Sequence, residues 1–298
     1  MKHLLKLEGK PSAAMEEILA SAKVIKAKRG GGEAKPLDGQ TWALIFTKSS
    51  TRTRVSFEVG IRELGGSVMF LNANDMQLGR GEPIKDTARV LGRMVHGAVI
   101  RTFAQADVEE FAEYSGIPTI NALTDDEHPC QILTDIFTFQ ERRGPIRGKV
   151  VTYVGDGGCN VPVSWVHAAA ALDFELRIAA PSEFQPSTET LAKAGGNISC
   201  TEDIRAAVKG ADMVYTDVWV SMGMEAEAEA RLAKLAGYQI NGELMRLAKP
   251  DTLVMHCLPA YRGKEIDAET FEAHADTIFT QAENRLHTQK AILAWLAG

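Results

Sequence analysis

The chain has 298 residues, 45% hydrophobic and 24% charged, a globular balance with length for two domains of roughly 150 residues each. Its formal net charge of -6 gives no general attraction to a polyanion or an anionic membrane surface, so neither nucleic acid nor membrane is expected as a partner and any anion must be bound locally. The cysteines Cys130, Cys159, Cys200 and Cys257 form no C-x-x-C pair and no signal-peptide-like or spanning apolar run is seen, which points away from a zinc ribbon and a secreted disulfide framework and towards a reducing cytoplasm.

In chain order, Ala13 to Lys28 reads as a helix with Met15, Ile18, Leu19, Ala22 and Ile25 on one face, broken by Gly30, Gly31 and Gly32. Apolar runs at Thr41–Phe46, Ser67–Leu71, Ala98–Ile100 and Ile117–Ala122 then alternate with helical patterns, the rhythm of a parallel sheet. A second series follows at Lys149–Val154, Phe174–Ala179, Met213–Thr216, Thr252–His256 and Thr277–Thr280. Between the two series lies a helix from Cys130 to about Arg142, and Glu283 to Leu296 forms a closing helix. The fold class is therefore α/β, with two doubly wound domains, each a central parallel sheet flanked by helices, and an active site in the cleft between them. The domain boundaries are 1–133, completed by the closing helix 283–298, and 134–282.

Ligands of open parallel sheets bind beyond the carboxyl ends of the strands, where helix N-termini point donors outward. Just past the first strand stands Ser50-Thr51-Arg52-Thr53-Arg54, at the start of a helix whose Val55, Phe57, Ile61 and Leu64 are apolar. One reading is an ordinary Ser/Thr cap with solvated arginines. Cations in a first turn oppose the helix dipole, however, which favours a bound phosphate or carboxylate. Arg101 ends the third strand and is a second candidate anion clamp. His128-Pro129-Cys130-Gln131 sets proline at a helix's first position with His128 before it and Gln131 one turn on, so both can donate to one oxygen; a solvated pair would look the same.

Gly155-Asp156-Gly157-Gly158 after a strand invites a dinucleotide reading, but the spacing is not G-x-G-x-x-G and Ile178-Ala179-Ala180-Pro181 supplies no acid for a ribose. These glycines are read instead as a sharp turn that delivers Asn160. Asp217 follows another buried strand with Ser221 four residues on, and Met222 beside it is either part of a site or core filling. Cys257, in His256-Cys257-Leu258-Pro259, is either an inert apolar residue or a site residue. His256 is a doubtful base for it, because strand neighbours point to opposite faces. Metal-ligand spacing is not seen, and neither metal nor cofactor is expected.

Together these segments, with Glu283-Asn284-Arg285-Leu286, resemble the aspartate/ornithine carbamoyltransferase family over nearly the whole chain. The resemblance implies that residues 1–133 bind carbamoyl phosphate and 134–282 the amine. Ser50, Thr51, Arg52, Thr53 and Arg101 would hold the phosphate, and His128, Gln131 and Arg285 would surround the carbamoyl group. Asn160, Asp217, Ser221 and Met222 would position L-ornithine, with Cys257 and Leu258 between the substrates. Gln77 matches a position that reaches a neighbouring subunit's site, which implies a homotrimer. Asp217 with Ser221-Met222-Gly223, and His256-Cys257-Leu258-Pro259, look like the ornithine-binding type within the family; the alternatives are putrescine and N-acylornithine. One departure stands out: the family shows paired asparagines after Gly-Asp-Gly, whereas this chain has Gly158-Cys159-Asn160, with one extra residue.

The implied reaction is attack of ornithine's side-chain amine on carbamoyl phosphate, giving citrulline and phosphate in arginine biosynthesis. Fixed donors would stabilise the carbonyl oxygen and arginine forks the leaving phosphate. Asp217, Cys257 or the substrate phosphate would take the amine's proton, a choice the sequence leaves open.

Overall fold

A computed structural model describes every residue of the chain except Glu33, 73–75, 77–80 and Met222. The chain divides into two compact units, Met1–Phe137 with Asn284–Gly298, and Thr138–Glu283.

In the first unit, helix α1 (Ser12–Ala27) buries Met15, Ile18, Leu19 and Ala22. Strands β1 (Thr41–Phe46), β2 (Ser67–Asn72), β3 (Gly97–Arg101) and β4 (Thr119–Leu123) form a sheet of order β2-β1-β3-β4, parallel throughout. Helices α2 (Thr51–Glu63), α3 (Ile84–Leu91) and α4 (Gln105–Ser115) supply the crossovers. The fourth strand starts later than the apolar run beginning at Ile117 suggests, because Pro118 has no N–H to give a ladder. Helix α4 ends where Gly116 takes the left-handed conformation (φ 65°) that only glycine adopts cheaply.

The second unit holds β5 (Val150–Val154), β6 (Glu175–Ala179), β7 (Ile198–Thr201), β8 (Met213–Thr216) and β9 (Leu253–His256), in the order β7-β6-β5-β8-β9, again parallel. The chain passes between units within α5 (Pro129–Arg143) and within the C-terminal helix Ala275–Ala297.

Two expectations change. Thr277–Thr280 is helical, lying within the first two turns of the C-terminal helix. Its β-branched residues suggest a strand, but Ile278 and Gln281 are wholly buried while Phe279 is half exposed, a spacing of three that suits a helix face. The fifth strand of that sheet is β7, a short edge strand whose burial is only partial and which therefore has no continuous apolar run.

Both sheets reverse direction at one place. The chain moves outward from β1 to β2, then returns to build β3 and β4 on the other side; likewise β5, β6 and β7 run one way, and β8 and β9 the other. Right-handed crossovers make the gap at each reversal the natural ligand crevice. Ser50 lies in the loop after β1 and Arg101 ends β3, while Asn160 follows the loop after β5 and Asp217 comes directly after β8. Four of the expected site residues thus flank the two switch points.

A tight β1–β3 contact lies at the opposite, amino-terminal end of these strands. Trp42 is fully buried and pairs in register with Gly97, where an added Cβ would stand 2.5 Å from the indole ring. Gly97→Ala is expected to lower unfolding free energy by about 1–3 kcal/mol through overpacking. Urea denaturation checks it, and an unchanged midpoint would mean that the ring has room to move.

Candidate active site

In the first unit, α2 begins with Ser50 as its cap: Ser50 Oγ accepts a hydrogen bond from the Thr53 amide at 3.3 Å. The first turn contains no acid, although Arg52 and Arg54 both lie in it. Arg54 turns outward, pairing with Glu58 at 3.2 Å and stacking on Phe70 at 3.7 Å. Arg52 is half-buried, and among the described residues its guanidinium has no hydrogen-bond or ion-pair partner. A cation left at the positive end of a helix dipole is an electrostatic debt that an anion would settle.

Arg285, from the C-terminal helix, is the hub of this set. Only 3% exposed, it donates from Nη1 to Gln131 Oε1 at 2.5 Å and from Nη2 to Thr53 Oγ1 at 3.1 Å. With its amide oxygen facing the guanidinium, Gln289 accepts from Nη2 at 2.9 Å and from Nε at 3.1 Å. Gln131 in turn donates to Asp135 at 2.8 Å. The expected residues Thr53, Gln131 and Arg285 are therefore one hydrogen-bonded group. His128, immediately before α5, is also buried; burial first, then the charges of Arg285 and Arg101, hold its imidazole well below the usual range. It stands neutral among cations, able to donate one N–H without adding charge. Arg101, at the end of β3, is buried with it.

Two cations escaped the motif reading. Lys48, two residues before Ser50, is buried, pairs with Asp125 and lies 4.1 Å over the Phe103 ring. It clamps the loop after β1 to the loop after β4, and its position just ahead of the Ser-Thr-Arg motif was the available signal. Ser50 and Thr51 keep at least part of their surface open. Gln77 lies outside the described residues.

In the second unit, Asp217 follows β8 and Cys257 follows β9. The thiol donates to Asp217 Oδ1 at 2.9 Å, and the same oxygen accepts the Val218 amide at 2.8 Å. His256 is occupied elsewhere: Nε2 faces Glu265 at 3.1 Å and Nδ1 accepts the Leu258 amide at 2.9 Å. Asp217 is thus a hydrogen-bond partner of Cys257. Leu258 takes a left-handed conformation (φ 60°), followed by a cis bond to Pro259. Potential ligand atoms of Asp217, His256 and Cys257 fall within 4.8 Å of one another, a grouping that sequence spacing did not suggest. Both histidine nitrogens are already engaged there, so the imidazole would have to release a partner before it could bind a metal.

Asn160 opens α6 (Asn160–Leu172), and Cys159 before it makes no side-chain cap. The Cys159 thiol instead donates to the Asp156 carbonyl at 3.2 Å, and burial pushes its pKa well up. Asp156 bonds the Gly158 amide at 3.0 Å and pairs with buried Arg231, which also donates to the Trp219 carbonyl at 3.0 Å. Arg231, missed by motif reading, thereby ties the turn leading to Asn160 to the loop leading to Ser221. Met222 lies outside the described residues.

The neutral His128 has a consequence for stability. A histidine whose folded pKa is depressed contributes stability above its unfolded pKa of about 6.5 and loses it as pH falls below that value. The stability of wild type relative to His128→Asn is therefore expected to decline as pH drops below about 6.5. Denaturation series at several pH values read this directly, and a constant difference would contradict a buried neutral imidazole.

Comparison with known proteins accounts for both units. Residues 2–141 match the family model described as "Aspartate/ornithine carbamoyltransferase, carbamoyl-P binding domain", and residues 147–296 the model for its "Asp/Orn binding domain". A relative from Akkermansia muciniphila, named ornithine carbamoyltransferase, is 55% identical over 300 residues, covering 100% of this chain and 98% of its own. One of the same name from Methylococcus capsulatus is 50% identical, covering 99% and 98%. Solved structures agree: ornithine carbamoyltransferase from Pyrococcus furiosus matches with a TM-score of 0.92 at 44% identity, over 100% of this chain and 97% of that one. Anabolic ornithine carbamoyltransferase from Campylobacter jejuni matches at 0.93 and 42%, over 99% of each. The chain belongs to the aspartate/ornithine carbamoyltransferase family.

Proposed function

We propose that the protein is an ornithine carbamoyltransferase, transferring the carbamoyl group of carbamoyl phosphate to the side-chain amine of L-ornithine and yielding L-citrulline and phosphate. The observation that carries this reading is the acid-free start of α2, where Arg52 lacks a partner among the described residues. Full-length identity of 50–55% to relatives named ornithine carbamoyltransferase supports ornithine over another amine.

In this reading Ser50, Thr51, Arg52, Thr53 and Arg101 hold the phosphate, by helix-terminal N–H groups and guanidinium forks. Gln77 would join them from a neighbouring subunit. His128, Gln131 and Arg285 surround the carbamoyl group. Asn160, Asp217, Ser221 and Met222 hold ornithine, with Cys257 and Leu258 between the substrates. The amine nitrogen forms its bond to the carbonyl carbon, negative charge builds on the carbonyl oxygen, and the bond to the phosphate oxygen then breaks. His128, Arg52 and Arg285 supply donors to that oxygen, a contribution of roughly 3–4 kcal/mol each in comparable sites. The amine must shed a proton first. The Asp217 carboxylate, already accepting the Cys257 thiol at 2.9 Å, is the acceptor favoured here.

The same reading makes the protein a cytoplasmic homotrimer that serves arginine biosynthesis. Among the described residues no helix is long and apolar enough to cross a membrane.

Arg52→Ala is expected to reduce citrulline formation by about 100-fold or more while leaving the thermal transition intact; near-normal turnover would remove Arg52 from the chemistry. Ser221→Ala should raise KM for ornithine by about ten-fold, the loss of one hydrogen bond to a charged group, with KM for carbamoyl phosphate little changed. Equal increases in both would undo the division of substrates between the two units.

A further inference from the structure

The first residues of the chain run alongside β4. Leu4 donates its amide to the Thr119 carbonyl at 3.0 Å and accepts the Asn121 amide at 2.8 Å, forming a parallel bridge to Ile120. The Asn121 side chain holds the Leu5 carbonyl at 2.9 Å. Leu4 and Leu7 are buried as core residues. Two residues further on, the Leu7 and Glu8 amides donate to Glu127 Oε2 at 2.6 Å and Oε1 at 3.1 Å. One carboxylate, 3% exposed, therefore receives two consecutive backbone N–H groups.

Glu127 also closes the turn that leads out of β4. The Thr124 amide donates to the Glu127 carbonyl at 3.0 Å, and the Glu127 amide donates to Thr124 Oγ1 at 3.2 Å. His128 is the next residue, and its carbonyl accepts the Gln131 amide at 3.1 Å. We infer that Glu127 is a positioning residue for His128, tying the backbone of Leu7 and Glu8 to the turn that presents the imidazole. This inference rests on the proposed role of His128 at the carbamoyl group.

The chemistry of the tether depends on its proton. An ionised carboxylate offers both oxygens as acceptors, whereas a protonated one keeps a single good acceptor. Burial raises Glu127 to about 7, with the charge of Glu8 adding to the rise and the two backbone donors and Lys6 opposing it. Lys10 also interacts electrostatically with it. The tether thus changes state close to neutral pH. Because the folded pKa lies above the unfolded one, Glu127 contributes stability below about 4.5 that is lost as pH rises through about 7.

The test uses full-length wild type, Glu127→Gln and Glu127→Ala, with kinetics against both substrates from pH 6 to 9, thermal melting, and amide exchange at Leu7 and Glu8. Glu127→Ala is expected to lower kcat/KM for carbamoyl phosphate by about ten-fold, since small displacements of a reacting group are costly, with KM for ornithine within about two-fold. Glu127→Gln should be intermediate and should lose the step near pH 7 that wild type shows in KM for carbamoyl phosphate. A lower melting temperature in Glu127→Ala with unaltered kinetic constants would make the residue merely structural and overturn the proposal. If wild type itself forms no citrulline, the functional reading fails first, and the role at His128 falls with it. The exchange measurement separates these failures: Leu7 and Glu8 should exchange faster in Glu127→Ala whatever the activity, and unchanged protection would refute the tether itself.

Discussion

A guanidinium taken out of water needs acceptors around it, and Arg285 is buried to within a few per cent. Its forks are answered by Gln131 on α5, Thr53 on α2 and Gln289 on its own helix. Three helices are thereby set relative to one another within the first unit. The same charge helps keep His128 neutral. Removing Arg285 would therefore do more than delete a donor, because it would leave buried acceptors unanswered at Gln131, Thr53 and Gln289. The helix start at Ser50 then has its direction fixed from below, with Lys48 and Asp125 holding the loop ahead of it.

The second unit solves a different problem, that of holding a carboxylate near the ends of two strands. Asp217 is 7% exposed, and its Oδ1 takes the Val218 amide and the Cys257 thiol. Glu265 and Gln281 anchor His256 from the ring and the backbone, and the ring anchors the Leu258 amide. Buried Arg231 bridges the turn at Asp156 to the Trp219 carbonyl. Glu265, Gln281 and Arg231 are not themselves among the residues expected to bind substrate; they hold the segments that carry those residues.

Much of this was legible from residue order. Eight of the strands fall on apolar runs, and the polar residues beyond Phe46, Arg101, Val154 and Thr216 gather at the two switch points because a parallel sheet leaves room there. What escaped was set by tertiary contact. The run at Thr277 takes a helical spacing because Ile278 and Gln281 are both buried on one side, and β7 is held by a single neighbour rather than by an apolar stretch. Lys48, Arg231, Glu265 and Glu127 stand outside recognisable motifs, and their value lies in partners 77, 75, 9 and 120 positions away. Sequence spacing does not encode such pairs. Cys159 shows the converse: it occupies a helix cap yet leaves the helix uncapped, so Asn160 begins α6 without the support of a capping side chain.

In the proposed reading α2 provides an anion site and Asp217 an amine site. The most direct measurement is product formation by the purified chain from carbamoyl phosphate and a panel of amines: L-ornithine, putrescine, N-acetylornithine and L-aspartate. Citrulline and phosphate in equal amounts are expected from ornithine, with the other amines at least about 100-fold poorer in kcat/KM, since a site built for a charged or hydrogen-bonding group rejects a substrate that lacks it. Faster transfer to another amine, or no transfer to ornithine at all, would contradict that reading.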